Sequence, residues 1–146
     1  MRYAENSGAA PWFYAQRVVL CSGCFDGLHA GHVRYLTQAR ALSPTETLCV
    51  AIAPDDYIRT TKGREPFWSQ PERTETVLAL GLVDRTLWQA EATPASLILA
   101  HRPRYFVKGP DWKDRLPEDV LAACQAVGCQ IRFTDTPGRH TSEAIR

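Results

Sequence analysis

Between an apolar run, Arg17-Val18-Val19-Leu20, and a stretch of helical periodicity beginning near Ala30 lies Cys21-Ser22-Gly23-Cys24-Phe25-Asp26-Gly27-Leu28-His29-Ala30-Gly31-His32. A glycine-bearing turn that joins a buried strand to a helix is a common phosphate-holding device of α/β folds. The helix N-terminus presents unpaired N–H groups and about half a positive charge. Gly27 and Gly31 let the backbone approach an anion closely. His29 and His32, three apart in the first turn, project to one side. Imidazoles there can donate hydrogen bonds to phosphate oxygens as charge builds in a transition state, each such donor being worth roughly 2.7–4 kcal/mol. Zinc binding is the other chemistry open to two histidines, but the sequence places no third ligand.

The rest of the chain alternates strand and helix. A strand over about 16–22 leads to a helix over 30–42, which Ser43-Pro44 ends. Thr47 to Ala53 is a near-continuous apolar run, the pattern of a strand covered on both faces. Residues 54–68 read as a long polar loop. Ser69 with Glu72 makes a capping box for a helix to about Leu82. A short strand follows at Asp84 to Trp88, and Thr93-Pro94 opens a helix to about His101. Arg104 to Val107 is a fourth strand. Pro117 opens a helix that Gly128 stops, and Cys129 to Phe133 is a fifth strand. This alternation predicts an α/β fold: a single Rossmann-like, doubly wound sheet of about five parallel strands with helices on both faces. Residues 1–15 are expected to be an N-terminal arm and 16–146 one domain. Ligands bind such sheets beyond the carboxyl ends of the strands. The polar clusters at 23–32, 55–64, 108–112 and 137–143 each follow a strand, so they are expected to converge on one rim.

Charge narrows the function classes. Seventeen Lys and Arg against sixteen Asp and Glu leave a net +1 over 146 residues, which argues against a broad nucleic-acid or membrane surface. No run approaches the ~18 apolar residues of a membrane helix, and Met1 to Ala15 lacks a signal-peptide core, so a cytoplasmic location is expected. Cys21-Ser22-Gly23-Cys24 matches C-x-x-C, a redox or half-zinc pattern, but no second well-spaced pair accompanies it. Small side chains in a crowded turn are the simpler account.

Gly23-Cys24-Phe25-Asp26-Gly27-Leu28-His29-Ala30-Gly31-His32 resembles the G-x-F-D-x-x-H-x-G-H signature of the cytidylyltransferase-like nucleotidylyltransferases. Tyr105 to Trp112 is similar to the V-K-G-G-D-Y segment of the bacterial heptose 1-phosphate adenylyltransferases, and its Asp-Trp ending resembles glycerol-3-phosphate cytidylyltransferases. His140 to Ile145 sits where the family has I-S-T-T-x-I.

The resemblance implies transfer of a nucleoside monophosphate, AMP favoured over CMP, from a triphosphate to a phosphorylated sugar such as heptose 1-phosphate. Pyrophosphate leaves, and no covalent enzyme intermediate forms. It implies His29, His32 and Lys62 as catalytic residues, Lys62 lying in a mobile loop over the phosphates. Gly23, Cys24, Phe25, Asp26, Gly31, His32, Lys108, Thr141 and Ser142 would bind nucleotide, and Arg73, Asp111 and Trp112 the second substrate. Asp26 would orient the turn or help place Mg²⁺. ATP or CTP is the implied co-substrate with Mg²⁺, no residue is assigned as a metal ligand, and a homodimer is expected. Glu143 and Pro110 depart from the family pattern, and they motivate the alternative of a nucleotide-binding module that has lost turnover.

Overall fold

The computed structural model describes residues 17–135. The expected arm at 1–15 and the expected rim segment 137–143, with Thr141, Ser142 and Glu143, lie outside the described residues. Five strands form one sheet: β1 (Val18–Gly23), β2 (Thr47–Ile52), β3 (Arg85–Trp88), β4 (Tyr105–Lys108) and β5 (Gln130–Phe133). Their order is β3-β2-β1-β4-β5, and every pairing is parallel. Helices α1 (Ala30–Leu42), α2 (Asp55–Lys62), α3 (Gln70–Ala79), α4 (Ala95–His101) and α5 (Glu118–Val127) make the connections, with a 3-10 turn at Pro110–Trp112. The doubly wound sheet expected from the alternation is therefore present, with element ends moved by up to about three residues.

Alternation along β1 divides the core. Val18 and Leu20 pack on one face with Ile98 of α4 and Val120, Ala123 and Cys124 of α5. Val19 and Cys21 pack on the other with Leu36 and Ala39 of α1 and Val77 of α3. Both faces of β2 are covered in the same way, and Leu48 to Ile52 are all buried. That is why its sequence is continuously apolar. Fully burying each Leu or Ile contributes about 1.5–3 kcal/mol.

One expectation fails. The stretch 54–68 is not a plain loop, because Asp55–Lys62 is helical. Asp55 and Asp56 sit in its first turn, Arg59 and Lys62 in its last, and Gly63 closes it at φ +66. Those charges complement the helix dipole. The sequence concealed α2 because it buries one residue, Ile58. A single inward residue produces no 3.6-residue apolar period. Similarly, α4 starts one residue later than expected: Pro94 occupies the N-cap position, and the Thr93 hydroxyl accepts the Ala95 N–H at 3.3 Å.

The β1–β2 ladder continues to Gly23↔Ile52, whereas the β1–β4 ladder stops at Cys21↔Val107. Beyond that point β1 and β4 part, and a crevice opens where the winding direction of the sheet reverses. The turn after β1, the start of α1 and the turn after β4 line that crevice.

Candidate active site

The turn after β1 is tightly built. Phe25 is buried at φ +52 and Gly27 takes φ +100. A Cβ on Gly23 would lie 2.9 Å from Cε2 of Phe25, so glycine there is required by close approach. His29 then caps α1, its Nδ1 accepting the Gly31 N–H at 3.0 Å. His32 Nδ1 accepts the His29 N–H at 3.2 Å, and the two rings stack with centroids 3.9 Å apart. This is a capping box made of two histidines where Ser and Glu are usual. Because each Nδ1 accepts a backbone bond, each neutral ring carries its proton on Nε2. The Phe25 ring, 5.1 Å from that of His32 and 6.4 Å from that of Tyr35, supports the pair from the core side.

Asp26 and Arg73 fasten this turn to its neighbours. Asp26 is buried; its Oδ2 accepts from Arg64 Nη1 at 2.8 Å and from the Phe67 N–H at 2.9 Å, and its Oδ1 accepts from the Trp68 N–H at 2.9 Å. A carboxylate engaged by three donors has little capacity left for a metal. With these contacts Asp26 ties the turn to residues 64–68, and it does not fit a magnesium ligand. Arg73 is fully buried: Nε donates to the Trp68 carbonyl at 3.0 Å, Nη1 to the Cys24 carbonyl at 2.7 Å and Nη2 to Asp55 at 2.7 Å. It therefore does not stand on the cavity wall, contrary to the substrate contact expected of it. Its planar fork is spent joining the histidine turn, α2 and the segment before α3.

At the crevice itself, the Ser22 N–H donates to the Tyr35 hydroxyl at 3.2 Å, and that hydroxyl donates to the Val107 carbonyl. Lys108 Nζ donates to the Ser22 carbonyl at 3.0 Å and to Ser22 Oγ at 3.3 Å, and it lies 4.6 Å from the centroid of the Trp112 ring. These two side chains bridge the backbone groups left unpaired where β1 and β4 separate. Burial pushes the Lys108 ammonium down to about 8.

A cavity of about 420 Å³ opens beside them. Its wall includes Gly23, Cys24, Phe25, Asp26, His29, Gly31, His32, Lys62, Lys108, Asp111 and Trp112. Lys62 is the last residue of α2, so it stands on a helix end and not in the mobile loop expected. Asp111 and Trp112 belong to the 3-10 turn after β4. The sequence reading missed Tyr57 and Thr61 on the inner face of α2, Arg64, Gln89, Arg115 and an apolar end formed by Phe106, Leu116, Pro117 and Val120. The i, i+4 spacing of Tyr57 and Thr61 was the available signal, and it becomes meaningful only once 55–62 is known to be helical.

All five cysteines are free thiols. Burial pushes Cys21 up to about 12 and also raises Cys24, against the opposing charge of Lys62. Around Cys24 the charges of Lys62, Arg73 and Lys108 all favour the thiolate, but burial outweighs them, so neither thiol is lowered as a reactive one would be.

A family model described as cytidylyltransferase-like matches residues 20–146. Among curated proteins, a "Bifunctional protein HldE" of Methylococcus capsulatus is 43% identical over 136 residues, covering 90% of this chain and 28% of that protein. The protein of the same name from Aeromonas hydrophila is 40% identical over 135 residues, covering 90% and 27%. The chain thus spans about a quarter of the length of the curated relatives it matches. Among solved structures, a lipopolysaccharide core biosynthesis protein from Thermoplasma volcanium superposes with a TM-score of 0.63 at 24% identity, covering 80% of this chain and 92% of that one. A protein of unknown function from Archaeoglobus fulgidus gives 0.62 at 19% identity, with 84% and 94% covered. These two likenesses concern the fold.

Proposed function

The chain belongs to the cytidylyltransferase-like family, and from that premise we propose that its domain, residues 16–146, transfers AMP from ATP to a phosphorylated sugar of the heptose 1-phosphate kind. A phosphate oxygen of the sugar attacks the α-phosphorus, the bond to the β-phosphate oxygen breaks, and pyrophosphate departs. The observation that carries the reading is the histidine pair. Two imidazoles fixed through Nδ1, with their protons on Nε2, stand at a helix N-terminus on the wall of the cavity. Such donors suit the charge that develops on the α-phosphate.

The remaining roles follow from position. Backbone N–H groups of the Gly23–Gly31 turn cradle phosphate. Lys108 brings a desolvated positive charge to the crevice, and Lys62 supplies one from the end of α2. Asp111, the other carboxylate in the wall, is the residue that would hold Mg²⁺. When bound, the ion neutralises charge on the triphosphate and the leaving pyrophosphate. The apolar end near Phe106, Leu116 and Val120 suits the flat faces of a nucleobase.

The test is pyrophosphate release with Mg²⁺, each of ATP and CTP, and a panel of phosphorylated sugars and polyols. Release with ATP and a sugar 1-phosphate is expected. Release with CTP and glycerol 3-phosphate alone would replace the adenylyl assignment with the cytidylyl one. No release with any pair would leave a nucleotide-binding module.

A further inference from the structure

The proposed reaction brings two multiply charged anions together, so each phosphate group needs its own positive partner. Four Lys and Arg side chains line the cavity: Lys62, Arg64, Lys108 and Arg115. Two are already engaged. Arg64 holds Asp26 at 2.8 Å and lies 4.0 Å from the Phe67 ring centroid. Lys108 is buried on Ser22. Lys62 was assigned above from the family resemblance. Arg115 was singled out by nothing in the sequence.

The geometry points to Arg115 as a phosphate-binding residue at the mouth of the cavity, taking a phosphate monoester or the end of the triphosphate chain. Arg115 is exposed, and its guanidinium makes no ion pair among the described residues. By contrast Arg40, Arg59, Arg64, Arg73 and Arg104 each hold a carboxylate. The position is fixed, however. The Arg115 N–H donates to the Trp112 carbonyl at 3.0 Å, closing the turn. The guanidinium lies 5.7 Å from the centroid of the Trp112 indole, the same ring that Lys108 Nζ approaches to 4.6 Å. The indole has two cations beside it, and the carboxylate that acts there, Asp111 of the same turn, offsets Lys108, so one positive charge is left over at this point of the rim. Tyr57 of α2 feels that charge: burial raises its phenol, and Arg115 acts on it in the opposing direction. Arg115 and Tyr57 of α2 line the same cavity. A planar fork presented there matches two oxygens of one phosphate group.

This inference rests on the proposed transferase reading, and the test separates the two. Arg115→Ala and Arg115→Lys are compared with the wild-type protein in turnover at varied triphosphate and varied acceptor, and in calorimetric titration with triphosphate alone. Both variants are expected to keep the wild-type melting temperature, since the side chain is exposed. Arg115→Ala should raise the KM of one phosphate substrate tenfold or more, with Arg115→Lys intermediate because it keeps the charge and loses the fork. A weaker calorimetric titration would identify the triphosphate as the ligand; an unchanged titration with a raised acceptor KM would identify the acceptor phosphate. If wild-type protein binds triphosphate and turns over, and both KM values are unchanged in Arg115→Ala, this inference is overturned and the transferase reading stands. If wild-type protein neither binds triphosphate nor turns over, both are overturned.

Discussion

His32 Nδ1 accepts the backbone N–H of His29 while the two rings stack at 3.9 Å, so each histidine fixes the other and neither can turn over independently. The pair caps α1 through Nδ1 and lines the cavity, and the proposed reaction gives it a second task as a donor through Nε2, which a substitution can separate from the first. Asn is among the best N-caps, and its Oδ1 lies close to where Nδ1 sits. His29→Asn is therefore expected to keep the melting temperature near that of the wild type while lowering turnover by roughly 10²-fold or more. His29→Ala should show the same loss of turnover together with about 1 kcal/mol of destabilisation. Wild-type turnover in His29→Asn would refute the donor role.

Arg73 is expected to act through stability. Replacing it with Met keeps the volume but leaves Asp55 and the carbonyls of Cys24 and Trp68 without their donor. Asp55 is partly exposed, so the loss comes chiefly from acceptors left without a donor, about 1–3 kcal/mol for each that is buried. Denaturant unfolding of Arg73→Met should show that loss. An unaltered midpoint with a raised acceptor KM would return Arg73 to substrate binding.

Asp26→Asn replaces one of two accepting oxygens by a donor that faces the N–H groups of the 67–68 segment or Arg64. Destabilisation of about 2–4 kcal/mol is expected. Cleavage by a protease should concentrate between Gly63 and Trp68, since that segment loses its anchor. Protection equal to the wild type would argue that Arg73 alone holds it.

Lys108 sets a pH limit. Its folded pKa, about 8, lies below the ordinary 10.5 because of burial. The folded state therefore gives up this proton first. Between about 8 and 10.5 the unfolded chain binds more protons, so the contribution of this group to stability rises with pH across that window. Activity should move the other way, falling above about pH 8 as the ammonium is lost. Turnover measured from pH 7 to 10 should show a one-proton decline, and Lys108→Arg, which stays charged, should lack it. Across the same range wild-type stability should gain on that of Lys108→Met. A flat rate profile would remove Lys108 from the charged machinery.

Local pattern sufficed for much of this molecule. Apolar runs, capping residues and helix-ending Gly and Pro locate the five strands and four of the five helices, because each signal acts through its own backbone. The G-x-F-D-x-x-H-x-G-H stretch announces an anion site for the same reason: strand, turn and helix start are contiguous in the chain. Even so, α2 escaped notice, because one buried residue leaves no period to read.

Tertiary structure alone decided what each polar side chain is for. Arg73 and Lys62 look alike in sequence, two cations in polar surroundings, yet one is sealed among Trp68, Cys24 and Asp55 and the other lines the cavity. Asp26 turned out to be an anchor because its three donors come from positions 64, 67 and 68, some forty residues away. Arg115 gains its meaning only because the fold brings the segment after β4 and α2 to one cavity. A side chain's charge is written in the sequence; its desolvation and its partners depend on which distant segments the sheet brings beside it, and those terms determine its role.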